Sequence, residues 1–196
     1  MKIKLLLSVA VMGIFMLFTS CQKFPEAEIN TSTAAVDSVK AVGGESFVPE
    51  VFKALVDSLE SAKLEAENAK SKLFSNYKKS VEKLTFVNQM AADALTKVES
   101  RKVELRAENE ALVAEVKTLI LTNNELIKKL PYGKDGKIAL ESIKADISVI
   151  ETTVLEVEAL IASDDILGAN TKIKAASEKA VSIKVELEEV LAKIGK

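Results

Sequence analysis

The feature that most constrains the fold is an unbroken series of core positions, alternating in steps of three and four residues, from Tyr77 to Leu130. This spacing, with a period of about 3.5 residues, is typical of a helix that packs along another helix with a left-handed supercoil. Shorter series of the same kind cover 52–73 and 140–161, and a less regular one covers 166–194. We therefore predict an all-α protein, an elongated bundle of antiparallel helical hairpins with coiled-coil heptads.

Two interruptions divide these series. The stronger is the stretch 131–136, which holds a proline and two glycines and has the composition of a turn; the weaker is Ser75-Asn76. The residues around Ser75 also match those around Asp164 in a faint internal repeat, because capping-type residues precede a restarting helix at both places. Such tight turns favour antiparallel neighbours. The predicted organisation is a signal peptide at 1–20, a lipidated tether at 21–31, N-terminal helices including the long heptad helix at 32–130, a turn at 131–137 and a C-terminal helical hairpin at 138–196.

Composition limits the chemistry that this chain can carry. It has no histidine and no tryptophan, and its single cysteine is Cys21. Without histidine, the Ser-His-Asp and Cys-His nucleophile systems and the usual zinc sites are excluded, and one cysteine cannot form an intramolecular disulfide. The net charge of −2 becomes −4 once the two lysines of residues 1–20 are removed, so nucleic acid is not an expected partner. We expect no catalysis, no cofactor and no metal site.

The long heptad helix contains a leucine at every seventh residue from Leu105 to Leu126, with Asn109 and Asn123 at alternate core positions. Buried asparagines at such positions favour a parallel dimer, because paired amides satisfy each other in one register only. A second apolar row, which begins at Val113, makes the face wider than a two-stranded seam needs. That width favours a closed bundle within one chain over self-association through the heptad faces, and both alternatives stay open at this point.

The N-terminal segment has the pattern of an exported lipoprotein. Two lysines precede an apolar run from Leu5 to Phe18, which is too short for a membrane-spanning helix. The last residues of this segment, Leu17-Phe18-Thr19-Ser20-Cys21, resemble the lipobox of bacterial lipoproteins, although Phe18 stands where that family most often has leucine. The resemblance implies cleavage before Cys21, acyl chains such as palmitate on Cys21, and stable attachment to a membrane. Gln22, rather than aspartate, follows the cysteine, which by resemblance to the sorting rule of Gram-negative lipoproteins favours the outer membrane.

The mature part resembles an uncharacterised family of helical envelope lipoproteins of Gram-negative bacteria. The resemblance covers about Glu26 to Leu95 and depends on alanine-rich helices, a start at Pro49-Glu50-Val51-Phe52 and a helix restart at Asn76-Tyr77. That family has no established activity, so the resemblance implies a helical fold and an envelope location without a chemistry. The final residue, Lys196, is also similar to the terminal lysine of the murein lipoprotein, which implies peptidoglycan as a further partner, although Ile194-Gly195 departs from that family's ending.

Three polar features invite a chemical interpretation, and each has a simpler structural one. The stretch Gly133 to Lys137 lacks the preceding strand and the glycine spacing of a phosphate loop, which favours a turn between helices. Asp164 and Asp165 are placed to cap a helix rather than to act as a paired acid and base. Lys102, at a core position, is expected to set register or to extend its ammonium to solvent.

Two functions are compatible with these expectations. A long stiff helix on a lipid anchor suits a structural lipoprotein that spaces or scaffolds components of the cell envelope. The alternative is a periplasmic or surface adaptor, or a chaperone-like module, that holds a protein partner in a groove between helices. This alternative predicts an exposed apolar stripe on the closed bundle.

Overall fold

The computed structural model describes residues 23–72, 76–130 and 136–194, and the side chains of all of these except 136–138. Within these ranges the protein consists of helices and the turns between them, with no strand. The predicted all-α class and the packing of helices in antiparallel hairpins are confirmed. The helices in chain order are α1 (Glu26–Ala41), α2 (Gly44–Phe47), α3 (Pro49–Lys70), α4 (Lys78–Lys128), α5 (Gly136–Ala162) and α6 (Ile166–Ile194).

The longest helix, α4, runs without interruption for 51 residues and is therefore roughly 75 Å long. Neither glycine nor proline occurs between Lys78 and Lys128, so no residue in this stretch breaks the backbone hydrogen bonds. Before its first turn, Asn76 Oδ1 accepts a hydrogen bond from the backbone N–H of Lys78 at 3.0 Å. The long heptad series of the sequence is therefore one continuous helix.

The first half of α4 packs with α1 and α3 in a three-helix unit that we call the N-terminal bundle. α1 runs parallel to α4, and the Ser32 hydroxyl donates to the Leu84 carbonyl oxygen at 3.2 Å inside their interface. α3 runs antiparallel to both, and Lys83 of α4 donates to Ser61 and Glu65 of α3. The core is rich in small side chains. It includes Val39, Leu55, Leu59, Ala62, Leu84, Val87, Ala91 and Ala94.

The second half of α4 packs with α5 and α6 in a further three-helix unit, the C-terminal bundle. α6 runs parallel to α4, and Asn109 of α4 donates to the Ile166 carbonyl oxygen of α6 at 2.9 Å. α5 runs antiparallel to both, and Lys117 of α4 pairs with Glu158 of α5 at 2.6 Å. Larger aliphatic side chains fill this core. It includes Val116, Ile120, Ile147, Ile150, Val157, Ile173, Ile183 and Leu187.

Among the described residues, the two bundles are joined by α4 alone, because α1, α2 and α3 do not pack against α5 or α6. α2 lies beside the middle of α4, and the turn between α5 and α6 reaches the middle of α4 through Arg106. The molecule is therefore a rod in which two bundles follow each other along one helix. We call residues 95–106 of α4, where the bundles meet, the waist.

The two bundles follow the same plan. In each, the first and third helices are parallel and the second is antiparallel. Six buried residues of α4, and Tyr77 directly before it, have buried counterparts in α6, each 89 positions further along the chain, and the polar caps Asn76 and Asp165 have the same separation. The faint repeat in the sequence therefore extends over much of a helix. The seven pairs are Tyr77 and Ile166, Ser80 and Ala169, Leu84 and Ile173, Val87 and Ala176, Ala91 and Ala180, Ala94 and Ile183, and Val98 and Leu187.

Two helix boundaries differ from the prediction. α5 begins at Gly136, inside the predicted turn 131–137. α1 begins at Glu26, so residues 26–31, which were expected in the tether, are helical. The fixed φ of Pro25 suits a helix start, the acidic residues Glu26 and Glu28 in the first turn interact favourably with the helix dipole, and Ile29 packs against the core. The tether interpretation is thereby limited to the residues that precede α1.

Candidate functional site

Cys21, the predicted lipidation site, lies outside the described residues, and the structure gives the geometry of the rod end to which it connects. Phe24 and Tyr77 pack edge to face there, with ring centroids 5.8 Å apart. The ammonium of Lys70 lies 4.9 Å from the centroid of the Phe24 ring. These contacts bring together the chain entering α1, the end of α3 and the start of α4. We call this end of the rod the proximal tip.

Asn109 and Asn123 are both fully buried between α4 and α6. Each donates a side-chain N–H to a carbonyl oxygen of α6 at 2.9 Å, Asn109 to Ile166 and Asn123 to Ala180. The donors are 14 positions apart and so are the acceptors, which means that the two helices stay in register over two heptads. The amides that could have paired between two chains are therefore used within one chain, as the closed-bundle alternative predicts.

The two asparagines differ in how their oxygens are satisfied. Asn109 Oδ1 accepts a hydrogen bond from Asn170 Nδ2 at 2.7 Å. Asn123 Oδ1 is buried and has no hydrogen-bond partner among the described residues. The residue 14 positions after Asn170 is Lys184, and its ammonium lies 3.7 Å from Glu188 instead. Because a buried polar atom without a partner lowers stability, the site of Asn123 is the less well satisfied of the two.

The turn between α5 and α6 is fixed to α4 by Arg106, which the heptad pattern does not distinguish. Arg106 Nη1 donates to the Ile161 carbonyl oxygen at 2.9 Å, and Nη2 lies 2.6 Å from Asp164 Oδ1. Asp164 adopts a left-handed φ of 67°, and Asp165 Oδ1 accepts the backbone N–H of Gly168 at 3.0 Å. The predicted capping role is confirmed for Asp165, whereas Asp164 forms the turn and pairs with Arg106.

A signal for this contact is present in the sequence, because both arginines of the chain, Arg101 and Arg106, fall within the waist. The planar guanidinium makes two directed hydrogen bonds at once, which lysine cannot reproduce. Arg101 contacts Glu108 at 2.9 Å and Glu104 at 3.3 Å, and these hydrogen bonds raise the pKa of its guanidinium. The waist therefore carries a fixed charge network on one helix as well as a link to the C-terminal bundle.

One face of the waist is left uncovered by both bundles. Leu95 and Val103 are 37% and 61% exposed there, and Glu99 lies between them in a row spaced by four residues. A shallow, open depression follows this row and is lined by α4 alone. The waist thus presents an exposed stripe that is partly apolar. The stripe runs along a single helix, whereas the adaptor alternative expected a groove between helices.

The remaining polar candidates have structural roles or lie outside the described ranges. Lys102 is half-buried, and its ammonium lies 5.2 Å from the centroid of the Phe47 ring. Gly133 to Asp135 and Lys196 are not among the described residues. Within the described ranges, no group of three or more acidic or cysteine side chains is placed to hold a metal ion.

No protein-family model, no curated protein and no solved structure matches this chain. In the part of the chain that the structure describes, none of the helices combines the length and the hydropathy that a membrane span requires. The features that bear on function are therefore the proximal tip, the buried asparagines and the waist.

Proposed function

We propose that this protein is a lipid-anchored helical rod of the bacterial cell envelope, attached through Cys21 to the outer membrane, with a spacer or scaffolding role and no catalysis. The observation that carries the proposal is that the proximal tip lies at the end of a rod built on the 51-residue helix α4. A rod anchored at its end can extend roughly 75 Å from the membrane. One anchored near its middle would have half that reach.

The interior of the rod also supports a structural role. Both bundles are filled with side chains, and the depressions on their surfaces are shallow. Small-molecule and catalytic sites are usually enclosed pockets with converging polar groups. The buried amides of Asn109 and Asn123 bond instead to helix carbonyls, so their contribution is to the register between α4 and α6.

The anchor is tested by acyl labelling of the full chain in a Gram-negative host. Cells are fed an alkyne analogue of palmitate, and the protein is purified from membranes for labelling and intact-mass measurement. We expect label and the mass of several acyl chains on the wild type and on a Thr96→Ser control, and neither on Cys21→Ser. A wild-type protein that carries no label would contradict the anchor.

An adaptor is the second candidate, and the exposed row of Leu95, Glu99 and Val103 at the waist favours it. Photo-crosslinkers attached to single cysteines separate the two functions in cells. Ala192→Cys places the probe near the end of α6, far from the proximal tip, and Thr96→Cys places it at the waist; both residues are exposed. A spacer should be crosslinked to envelope components from Ala192→Cys, whereas capture from Thr96→Cys alone would favour the adaptor. Lys53→Cys, exposed on α3, controls for random capture.

A further inference from the structure

Exposed lysines from three chain segments meet at the proximal tip. One precedes α1, two lie at the end of α3, and two open α4. The packing of Phe24 against Tyr77 and Lys70 brings these segments together at one end of the rod. We call the group the lysine collar. It consists of Lys23, Lys70, Lys72, Lys78 and Lys79.

The collar is a local positive charge in a chain whose net charge is −2. At its own level the opposing carboxylate of the described residues is Glu26, which opens α1. Two further carboxylates, those of Glu67 and Glu65, lie 3.9 and 3.6 Å from the ammoniums of Lys70 and Lys79, while Glu28 and Glu82 lie further along α1 and α4. The proximal tip is therefore a basic end on an otherwise acidic protein.

Ion pairs neutralise the collar only in part. Lys70 lies 3.9 Å from Glu67 and Lys79 lies 3.6 Å from Glu65, and the lysines of both pairs are well exposed. Exposed pairs at such distances hold their partners weakly. The other three collar residues, Lys23, Lys72 and Lys78, are in no ion pair among the described residues.

Stability of the helices does not explain the whole collar. Lys70 is the last residue of α3 and Lys72 follows its C-cap, and a cation close to this helix end interacts favourably with the helix dipole. Lys78 and Lys79 are the first two residues of α4, where the dipole disfavours a cation, and the first turn of α4 contains no acidic residue. An anionic partner outside the bundle would offset this unfavourable placement.

We propose that the lysine collar binds anionic lipid headgroups and so holds the proximal tip against the membrane surface. The occupant is indicated by the chain itself, since Lys23 lies two residues after Cys21 and five after the apolar run that ends at Phe18. The proposal rests on the proposed attachment at this end of the chain. Basic residues close to a membrane surface are attracted to anionic lipids and add to the strength of an acyl anchor.

The test uses competition between two vesicle populations. The full protein, purified in detergent, is diluted into an equal mixture of preformed phosphatidylcholine vesicles and vesicles with about 30% phosphatidylglycerol, which are then separated by density. An acyl anchor inserts equally into both, so the distribution of protein reports the headgroup interaction. We expect a preference for the anionic vesicles of at least roughly tenfold at low ionic strength, decreasing with added salt.

Three variants identify the residues responsible. Lys23→Gln, Lys72→Gln and Lys78→Gln together should lower the ratio several-fold, with Lys70 and Lys79 keeping the remainder, while the same three changes to Arg should preserve it. The matched control replaces three exposed lysines elsewhere on the rod, Lys129, Lys174 and Lys193, with Gln and should leave the ratio unchanged. Circular dichroism checks that each variant keeps its helices.

The outcomes separate the collar from the anchor. If the wild-type protein distributed equally between the two vesicle populations, the proposed headgroup binding by the collar would be wrong and the proposed acyl anchor would stand. The same would follow if the control variant lost the preference as fully as the collar variant. Failure to bind phosphatidylcholine vesicles offered alone, with binding to anionic vesicles retained, would support the collar and contradict the acyl anchor. Binding to neither population would overturn both.

Discussion

The N-terminal and C-terminal bundles share a helix arrangement but fill it with side chains of different size. At positions 89 residues apart, the first has Ala94 where the second has Ile183, and Val98 where the second has Leu187. Small side chains let helices approach closely but bury less apolar surface, and burial is the main source of stability. We therefore expect the C-terminal bundle to be the more stable half. Two bundles on one helix can therefore share the same arrangement of buried positions and still differ in stability, because the buried side chains differ in size.

The largest expected effect comes from replacing Ile183 of the C-terminal bundle with alanine, the residue at the equivalent position, Ala94, of the N-terminal bundle. Ile183→Ala removes a buried side chain from the packed core between α6 and its neighbours and should lower the free energy of unfolding by about 3 kcal/mol. Urea unfolding measures the loss, and amide exchange shows which bundle opens first. Val185→Ala, at an exposed position on the same helix, is the control and should change little. An equally small effect of both variants would mean that the C-terminal core is loosely packed.

The reverse exchange tests whether the N-terminal bundle is closely packed or only underfilled. Ala94 is fully buried, so Ala94→Ile must displace neighbouring side chains and should cost about 2 kcal/mol. The same urea titration applies, with Ala92→Ile at an exposed position of α4 as control. If Ala94→Ile stabilised the protein, the small side chains of the N-terminal core would leave unfilled space there and would not reflect a closer approach of its helices.

Substitution of the two buried asparagines should change the free energy of unfolding of the C-terminal bundle by a smaller amount. Asn109→Leu removes the acceptor of Asn170 and should cost about 1 kcal/mol. Asn123→Leu removes the hydrogen bond to the Ala180 carbonyl oxygen but also a buried oxygen that has no partner among the described residues, so it should cost less than Asn109→Leu. Urea unfolding gives both values, and light scattering should find a monomer for the wild type and for each variant. A wild-type dimer that Asn109→Leu dissociates would show that the asparagine also pairs between chains.

The sequence predicts the helices better than it predicts their partners. The heptad spacing gives the limits of α4 to within a few residues, because apolar periodicity is a local property of the chain, but the spacing does not decide whether the helix between those limits is continuous. It does not show that α4 serves two bundles, since the choice of partner depends on which helices the turns bring alongside. The same periodicity places Asn109 in the core, yet the carbonyl oxygen that accepts its hydrogen bond belongs to Ile166, 57 positions away, and follows only from the fold. Arg106 has no periodic signature at all, because its contacts are with a turn.

The smallest expected effect is the pH dependence of two carboxylates, the partly buried Glu65 and the exposed Glu125, one in each bundle. A hydrogen bond from Lys83, with the nearby charge of Lys79, lowers the pKa of Glu65 below its ordinary value of 4.5, and Lys128 lowers that of Glu125 in the same direction. A carboxylate with a lowered pKa stabilises the fold above its ordinary pKa, and this contribution is lost as the pH falls through the lowered value. Glu65 bridges α3 and α4, whereas Glu125 and Lys128 lie in one helix, so only the first pair depends on the packing between helices. Urea unfolding between about pH 7 and pH 3 should show a larger loss of pH dependence for Glu65→Gln than for Glu125→Gln. Equal losses would mean that the contact between α3 and α4 contributes nothing beyond a local ion pair.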